Sequence, residues 1–261
     1  MLRALMTAAT GMDAQQLNID VIANNVANVS TTGYKKVRTE FQSLLSQIER
    51  APGALVAQGT NQPVGVEVGL GVKPSATQRV FTSGTIVSTG NSFDVAIEGD
   101  GFFRIQLDDG TIAYTRDGSF KVDGNGTLCT TDGYIVQPQI TIPQDANEFI
   151  ITSDGKVSVK INNEPTQTEI GTLELAKFIN PAGLISMGKN LLLESPASGQ
   201  PIQGIPGQEG FGTLLQSSLE GSNVQIVTEL VNLIQAQRAF EANSNMIQSA
   251  SEMLQQANQI R

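Results

Sequence analysis

The most informative absence in this chain is histidine, of which its 261 residues contain none. Histidine is the usual general base and proton shuttle and the commonest metal ligand in proteins. Carboxylates or lysines could still serve in an active site, but the 25 acidic residues show no spacing that is typical of a catalytic pair. The sequence therefore disfavours an enzyme, and we predict no catalytic residue, no cofactor and no metal site.

Cysteine, tryptophan and basic residues are also scarce. Cys129 is the lone cysteine, so no disulfide can form within the chain. Tryptophan is absent and aromatic residues make up 5%, whereas glycine is frequent at 26 residues, so the fold must rely on small side chains and turns. The formal net charge of −9 argues against a nucleic-acid partner. We interpret the one basic cluster, Lys35, Lys36 and Arg38, as a solvated turn.

The chain has no apolar run of about 18 residues, the length that a membrane-spanning helix needs. We therefore expect no membrane insertion. The N-terminus has one basic residue in its first 13, and Thr7, Thr10, Gly11 and Asp13 interrupt its apolar run, unlike a secretory signal. The protein is expected to stay in the cytosol or to be exported without a cleaved signal peptide.

Both ends of the chain carry a helical pattern in which apolar residues alternate at steps of three and four. This spacing is typical of helices that pack side by side in a coiled coil. The N-terminal series consists of Leu2, Leu5, Ala9, Met12, Gln16, Ile19, Ala23 and Val26. The C-terminal segment has two series, one of Met246, Ala250, Met253, Ala257 and Ile260, the other of Ile226, Leu230, Leu233, Phe240, Ile247 and Leu254. We predict helices over about 2–28 and from Ser222, a good N-cap residue, to the end.

Glycine and proline become frequent after the first helix, with five and three residues respectively between 51 and 74. Within this insert (about 47–74), Val64, Val66, Val68, Leu70 and Val72 alternate with small or polar residues. Such a period of two predicts an extended strand with one apolar face, and the nearly bare opposite face allows another backbone to approach. An ordinary edge strand and a contact between subunits explain this pattern equally well.

Residues 76–210 alternate between apolar and polar residues over short segments, without a helical pattern long enough to connect parallel strands. Six candidate turns separate the segments: Asp109-Gly110, Asp117-Gly118, Asp123–Gly126, Asp132-Gly133, Asp154-Gly155 and Asn162-Asn163. The predicted fold class is α+β, with paired terminal coiled-coil helices as a stem and a central antiparallel β-rich body. The predicted domains are 1–30 with 222–261, a connecting region of 31–75 with 211–221, and 76–210.

Three segments resemble sites with a chemical role. Gly183–Lys189 is similar to a phosphate-binding loop, but Asn190 stands where a serine or threonine would hold Mg²⁺. Gly99–Phe103 begins like a dinucleotide-binding loop but lacks the third glycine, and Asp123–Gly126 lacks the later carboxylates of a calcium loop. We interpret all three as turns and strands of the β body.

Long motifs at both ends resemble those of bacterial flagellar rod, hook and hook-associated proteins. The N-terminal motif is Ala23–Lys35, and the C-terminal motif is Ser222–Val224 with Glu229–Asn243. Glu98–Phe103, Tyr114–Phe120 and Asp132–Tyr134 resemble the β body of the larger members. The chain's length and its insert are similar to those of a body-bearing rod protein. Phe240 stands where many members have tyrosine.

The resemblance implies a structural subunit that assembles helically into the rod of the flagellar basal body. The rod would be a rigid hollow drive shaft that transmits torque to the hook and passes exported proteins. Implied partners are further copies of the chain, other rod proteins, the hook protein, the surrounding rings and the export apparatus, with the rod spanning the periplasm. The alternatives are a hook protein or another body-bearing rod protein and, from a different class, a β-rich hydrolase with a helical dimerisation stem.

The helical patterns and the insert together predict the residues of the assembly interface. These are Leu5, Met12, Ile19, Val26, Asn24, Asn25, Asn28, Leu230, Leu233, Phe240, Ile247, Met253, Leu254, Val64, Val66 and Val68. The C-terminal segment 222–261 also has 12 asparagine or glutamine residues and five charged ones. This composition suits either the wall of a channel for unfolded proteins or an ordinary solvated helix face.

Overall fold

The computed structural model describes residues 2–50, 55–57, 60–61, 64–161, 167–208 and 210–259. The chain divides into two compact units, which we call the stem unit and the body unit. The stem unit comprises Met1–Ala27, Val37–Gln78 and Gln225–Arg261, and the body unit comprises Asn28–Lys36 and Arg79–Val224. The stem unit therefore contains both terminal helices together with the predicted insert.

The helices and strands follow one another along the chain in an α-β-α order. The first half contains α1 (Leu2–Ala27), β1 (Val37–Ser43), β2 (Ser46–Arg50), β3 (Leu55–Ala57), β4 (Thr60–Asn61), β5 (Val66–Gly69), β6 (Val72–Arg79), β7 (Ile86–Ser88), β8 (Val95–Glu98), β9 (Phe102–Gln106), β10 (Ile112–Thr115), β11 (Lys121–Val122) and β12 (Leu128–Cys129). The second half contains β13 (Ile135–Gln137), β14 (Ala146–Ile151), β15 (Lys156–Ile161), β16 (Thr168–Thr172), β17 (Leu175–Lys177), β18 (Ile185–Gly188), β19 (Leu191–Leu193), β20 (Ile202–Gly204), β21 (Thr213–Gln216), β22 (Ser218–Glu220) and α2 (Ile226–Gln259). The predicted α+β fold class, with helices at both ends and an antiparallel β body, is confirmed.

In the stem unit, α1 and α2 pack against each other along small side chains. Ala8, Ala14 and Ile22 of α1 and Ala236 and Ala250 of α2 are buried. The less exposed positions of α2 include a run at alternating steps of three and four: Leu233, Ala236, Phe240, Asn243, Ile247, Ala250 and Leu254. Within this run Asn243 lies so near Gly11 that a Cβ on the glycine would be 2.9 Å from its Nδ2 atom. Small residues therefore allow a close approach of the two helices.

The seams that the structure uses differ in detail from the predicted ones. Gln16 and Ala23 of the predicted N-terminal series are exposed, as are Met246 and Met253 of one C-terminal series. Ile260 lies outside the described residues. The buried positions mostly carry alanine, because a close helix pair selects small side chains at its centre and leaves larger ones at its margins. The helix α2 also begins at Ile226, four residues after the predicted N-cap.

Polar side chains of α1 hold the first strand of the stem unit. The Asn25 side-chain amide donates to the Val37 carbonyl oxygen at 2.7 Å and accepts from the Val37 N–H at 2.9 Å, as a neighbouring strand would. The Thr39 hydroxyl donates to Asn18 at 2.8 Å, and Thr10 accepts from the Val72 N–H at 3.4 Å. The bonds to Val37 and Val72 satisfy backbone groups that a two-stranded ribbon leaves unpaired.

The insert and its flanks form narrow ribbons. Strand β1 pairs with β6, β2 with β5, and β3 with β4, each as a two-stranded sheet. The predicted strand at 64–72 is confirmed in part, because β5 covers Val66–Gly69 and a break at Leu70-Gly71 separates it from β6. Gly71 has a φ of +118° and abuts Thr10, so the break in the strand coincides with its approach to α1.

The body unit is built on a nine-stranded antiparallel sheet. Its main path runs β11-β12-β13-β9-β10-β19-β18, and β17 joins β9 to β20. Strands β14, β15 and β16 form a second antiparallel sheet, while β8 pairs with β21 and β7 with β22. The last two pairs join residues near 90 to residues near 216. The outgoing chain is therefore an integral part of the body.

The two faces of β9 bury different cores, as the period of two of a strand requires. Phe103 and Ile105 point into the larger core with Val95, Ile97 and Phe120, and the ring centroids of Phe103 and Phe120 are 5.0 Å apart. Phe102 points into a smaller core with Tyr114, Ala176, Phe178, Leu184 and Leu192. The alternation of apolar and polar residues predicted across 76–210 is thus confirmed for the central strands β8 and β9.

Four of the predicted turns connect paired strands. These are Asp109-Gly110, Asp123–Gly126, Asp132-Gly133 and Asp154-Gly155, each closed by backbone hydrogen bonds. Asn162-Asn163 lies outside the described residues. The prediction for Asp117-Gly118 is wrong, because Gly118 lies beside β8 and its carbonyl oxygen accepts from the Val95 N–H at 3.1 Å. Here the glycine of a typical turn dipeptide lets two backbones approach closely, because Gly118 has no Cβ to contact Val95.

Two glycines in Asp-Gly dipeptides should therefore respond very differently to alanine. A Cβ on Gly118 would overlap the Val95 carbonyl oxygen, whereas a Cβ on Gly124 has open space around it. Gly118→Ala should lower the free energy of unfolding by roughly 2 kcal/mol or more, because β8 would have to move. Gly124→Ala should change it by less than about 1 kcal/mol. Urea denaturation of both full-length variants tests this, and equal midpoints would contradict the assigned packing.

Candidate assembly surfaces

The first turns of α2 keep a large apolar surface after the helix has packed against α1. Its members are large apolar side chains that are 45–76% exposed: Ile226, Val227, Leu230, Val231 and Ile234. The inward-facing positions of the same turns, Glu229 and Ala236, are buried. Contiguous exposed apolar patches on soluble proteins mark interaction sites. We call these five residues the α2 patch.

Methionines form a second exposed apolar stripe on the stem helices. Met6 of α1 is 70% exposed, and Met246 and Met253 of α2 are 55% and 51% exposed. The two methionines of α2 are seven residues apart and so lie on one side of the helix. Methionine adapts to irregular surfaces because its side chain is unbranched and flexible. The remaining exposed positions of α2 between 235 and 256 are mainly amide and serine side chains.

The ribbons of the stem unit are a further surface rich in exposed apolar side chains. These are Phe41, Leu45, Ile48, Val64, Val66 and Leu70, with Leu45 at 87% and Val64 at 71% exposure. A two-stranded ribbon is marginally stable by itself in water. The exposed apolar side chains of β2 and β5, Ile48 and Val66, are therefore expected to pack against a further surface. Residues 51–54, 58–59 and 62–63 of the insert lie outside the described residues.

The predicted interface residues fall into three groups in the structure. Leu5, Met12, Ile19, Val26, Asn28, Leu233, Phe240, Ile247, Leu254 and Val68 are half-buried within the chain. Leu230, Met253, Asn24, Val64 and Val66 are exposed. Asn25 is buried, and its amide bonds to Val37 of its own chain, so its contacts stabilise the subunit. The prediction did not include Val227, Val231 and Ile234, since their spacing places them outside the two apolar series of the C-terminal segment.

The basic cluster near residue 35 is not the solvated turn that the sequence suggests. Arg38 is exposed and pairs with Glu40, but Lys35 is buried. The Lys35 Nζ atom donates to Glu220 Oε1 at 2.6 Å and to the Thr82 carbonyl oxygen at 2.8 Å. Burial lowers the pKa of the Lys35 ammonium group, and the Glu220 carboxylate opposes this effect. No local sequence signal reveals the partner, which lies 185 residues away.

Glu220 lies between two buried cations in the body unit. Its second oxygen accepts from Arg116 Nη1 at 3.4 Å, and Oε1 also accepts from the Gly84 N–H at 2.9 Å. The Arg116 guanidinium lies over the Phe102 ring, 5.2 Å from its centroid. Gly33 has a φ of +67°, and a Cβ on it would be 2.8 Å from the backbone of Arg116 and Asp117. The residues after α1 are therefore held by charge and by close backbone packing.

Two of the motifs that resemble chemical sites lie in strands and turns of the body unit. Within Gly183–Lys189, Ile185–Gly188 form β18, and Lys189 begins the turn into β19. The Lys189 ammonium group lies 3.6 Å from Asp132. Gly99–Gly101 turns the chain from β8 into β9. Among the described residues, neither α1 nor α2 is long and apolar enough to cross a membrane.

Known protein families match three parts of the chain. The family described as "Flagella basal body rod protein" matches residues 5–35, "Flagellar hook protein FlgE/F/G D1 domain" matches 96–159, and "Flagellar basal body rod FlgEFG protein C-terminal" matches 215–260. The flagellar basal-body rod protein FlgG of Borreliella burgdorferi is 52% identical, over 100% of this chain and 99% of its own length. The chain belongs to the FlgG family of flagellar basal-body rod proteins.

More distant FlgG relatives keep the full-length match. FlgG of Agrobacterium fabrum is 49% identical over 97% of both chains, and FlgG of Bacillus subtilis is 42% identical over 98% of both. The flagellar hook protein FlgE of Helicobacter mustelae is 45% identical, but only over 52% of this chain and 30% of its own length. The full-length similarity thus favours a structural rod subunit of the flagellar basal body over a hook protein or a hydrolase.

The terminal family matches coincide with the surfaces described above. The N-terminal match contains most of α1 with Gly33 and Lys35, and the C-terminal match contains Glu220 and all of α2, including the α2 patch. Each match thus extends beyond its helix into the body unit. The two cations and the carboxylate of the buried cluster come from both terminal segments and from the body.

Removing the charge of Glu220 should strongly destabilise the body unit. Glu220→Gln leaves Lys35 and Arg116 without a buried counter-charge and should lower the free energy of unfolding by about 3–5 kcal/mol. The triple variant Lys35→Met, Arg116→Met, Glu220→Leu should lose much less, because no charge remains buried. Glu174→Gln is the matched control, since its pair with Arg104 is partly exposed. Chemical denaturation in which Glu220→Gln and Glu174→Gln unfold alike would refute this role.

Proposed function

We propose that this protein is the repeating subunit of the distal rod of the bacterial flagellum. It assembles helically through its stem helices into a rigid hollow drive shaft, which transmits torque to the hook and passes exported proteins. The observation that carries the proposal is the α2 patch. Five large apolar side chains remain exposed on the surface of a helix pair that has already buried its own seam.

Further copies of the chain are the partners that suit this surface. The patch lies on one side of α2, and the exposed methionines and ribbon residues lie elsewhere on the stem unit. Contacts between different surfaces of identical copies produce rings or open helical filaments. A helical polymer would cover several dissimilar apolar surfaces at once, because each copy meets neighbours in more than one direction. Membership in a rod-protein family supports the open, helical outcome.

The amide-rich surface of α2 beyond the α2 patch fits the inner wall of such a tube. Exposed positions there include Gln235, Gln237, Gln248, Gln255 and Gln256, with few charged side chains between them. Amides are hydrated without attracting charged segments over long distances. A wall of this kind would let unfolded chains of either charge pass. We prefer this role for the amide side over that of an ordinary solvated face.

The proposed surroundings follow from the same function. The ends of the shaft would contact other rod proteins and the hook protein, and its outside would face the surrounding rings. The subunit would reach the periplasm through the flagellar export apparatus without a cleaved signal peptide. The proposal includes no catalytic step, cofactor, nucleic acid or membrane insertion.

The ribbon formed by β2 and β5 is proposed as a rib between neighbouring subunits. Its strands carry exposed Ile48 and Val66 and lack a second layer within the described residues of the chain. Gly69 leaves open space where a side chain would stand, which permits a neighbour to approach. A rib wedged between subunits would fix their spacing, so that the tube could not compress on one side.

A charge in the α2 patch should block assembly while leaving the subunit folded. Val227 is 76% exposed, so Val227→Asp should change the free energy of unfolding of the monomer by less than about 0.5 kcal/mol. In the polymer the carboxylate would be buried, so the critical concentration should rise by about 100-fold or more. Electron microscopy and sedimentation measure this. Ser244→Asp, at an exposed polar position of α2, is the control and should assemble normally.

Ile247→Asp gives a useful contrast, because Ile247 is half-buried in the run that faces α1. This variant should lose both the helix pair and the polymer. If Val227→Asp assembled as the wild type does, the α2 patch would not be the assembly surface.

Deleting residues 47–64 tests the rib. The deletion removes most of β2 and leaves β1 and β6, so export and polymerisation should continue. Without the rib, one side of the tube can shorten, and the rods should curve or flex. Cryo-electron micrographs of rods from the deletion strain provide the measurement. Straight rods of normal stiffness would show that the insert only links β1 to β6.

A further inference from the structure

The chain passes between the stem unit and the body unit four times, after Ala27, Lys36, Gln78 and Val224. A single covalent connection can rotate about its backbone dihedral angles, so one link by itself transmits little twist. Several links transmit twist when they are tied to one another on at least one side. Such ties would lie among the body residues next to these crossings.

Asn223 ties three of the crossings together within the body unit. Its Oδ1 atom accepts from the Lys36 N–H at 2.7 Å. Its Nδ2 atom donates to the Val80 carbonyl oxygen at 2.9 Å and to the Thr82 carbonyl oxygen at 3.2 Å. The Val80 N–H donates in turn to the Lys36 carbonyl oxygen at 2.9 Å. One side chain thus bonds the segments that begin or end at residues 36, 79 and 224.

The bonds of Asn223 continue into the buried ion cluster. The Thr82 carbonyl oxygen accepts from Asn223 Nδ2 and also from Lys35 Nζ, which pairs with Glu220. The Gly33 N–H donates to the Glu220 carbonyl oxygen at 2.8 Å, which adds the segment that follows α1. All four crossings therefore lead into one hydrogen-bonded network. We call its central residues, Lys35, Thr82, Glu220 and Asn223, the latch.

We propose that the latch joins the four chain crossings into one stiff attachment through which torque passes between the stem helices and the body, with Asn223 as its positioning residue. This proposal rests on the proposed function as a rod subunit. The Lys35–Glu220 pair is buried, and the Asn223 bonds to Lys36 and Val80 are partly buried, so breaking them would cost more than breaking bonds in open solvent. Breaking the network at Asn223 would let each crossing move separately while the β sheet of the body persists.

Amide hydrogen exchange in the full-length monomer tests the latch directly. Asn223→Ala removes the acceptor of the Lys36 N–H and the donor to Val80 and Thr82. Exchange in segments 34–36 and 79–82 should become about tenfold faster, while the strands β8, β9 and β10 keep their protection. Asn223→Asp keeps an acceptor for Lys36 but turns a carboxylate oxygen toward two carbonyl oxygens, so it should also accelerate exchange.

Asn180→Ala is the matched control, because the Asn180 amide donates to the Ala197 carbonyl oxygen at 3.0 Å, away from the four crossings. It should leave exchange in 34–36 and 79–82 unchanged. Wild-type protection of these segments in Asn223→Ala would overturn the latch. This measurement does not require a polymer, so its outcome is independent of the proposed function.

Assembled tubes test the mechanical part of the proposal. Averaged cryo-electron micrographs of Asn223→Ala tubes should show the stem helices as clearly as in the wild type, with weaker and broader density for the bodies. Strains carrying the variant should swim normally in dilute medium and lose speed in viscous medium. Fast exchange together with well-ordered bodies would overturn the stiffening role. Failure of the wild-type protein to form tubes would overturn the proposed function and the torque role, while the exchange result would still decide whether the latch exists.

Discussion

The burial of the Glu220 carboxylate is the constraint on which the rest of the body unit depends. A fully enclosed carboxylate requires counter-charges and hydrogen-bond donors, and here they come from Lys35, Arg116 and Gly84. The first two lie 185 and 104 residues away along the chain. Segments from the beginning, the middle and the end must therefore meet before the cluster is neutralised. The segment that leaves α1 and the segment that leads into α2 consequently belong to the body as much as its central strands do.

The stem unit differs from the body unit, because many of its large apolar side chains stay exposed. Small residues at the centre of the helix pair let α1 and α2 approach closely, but a close pair covers only one side of each helix. The outer side of α2 and both faces of the ribbon then expose large apolar side chains. A body that satisfies its own charges and a stem that leaves its apolar groups exposed suit a subunit that folds alone and is completed by its neighbours.

The division into a self-contained body unit and a stem unit with exposed apolar surfaces does not depend on histidine or on a disulfide. An assembly subunit needs complementary surfaces and stiff connections, which alanine, glycine and amide side chains supply without histidine. A disulfide is likewise not needed to connect the segment that follows α1 with the segment that precedes α2, since Lys35 pairs with Glu220 and Lys36 bonds to Asn223.

Local sequence determined the helices, the central strands and most turns, because these depend on neighbouring residues and on periodicities of 3.6 and 2. It also showed the wide apolar pattern of α2, part of which stays exposed as the α2 patch. Only the tertiary structure decided the detail of the seam that α1 and α2 use, since close packing buried alanines such as Ala14 and Ala236 and left the larger residues of the predicted series half-buried or exposed. Only the tertiary structure placed Gly118 beside Val95 and converted Lys35 from a solvated cation into a buried one. These outcomes depend on partners far away in sequence, and no local pattern specifies which distant groups the folded chain brings together.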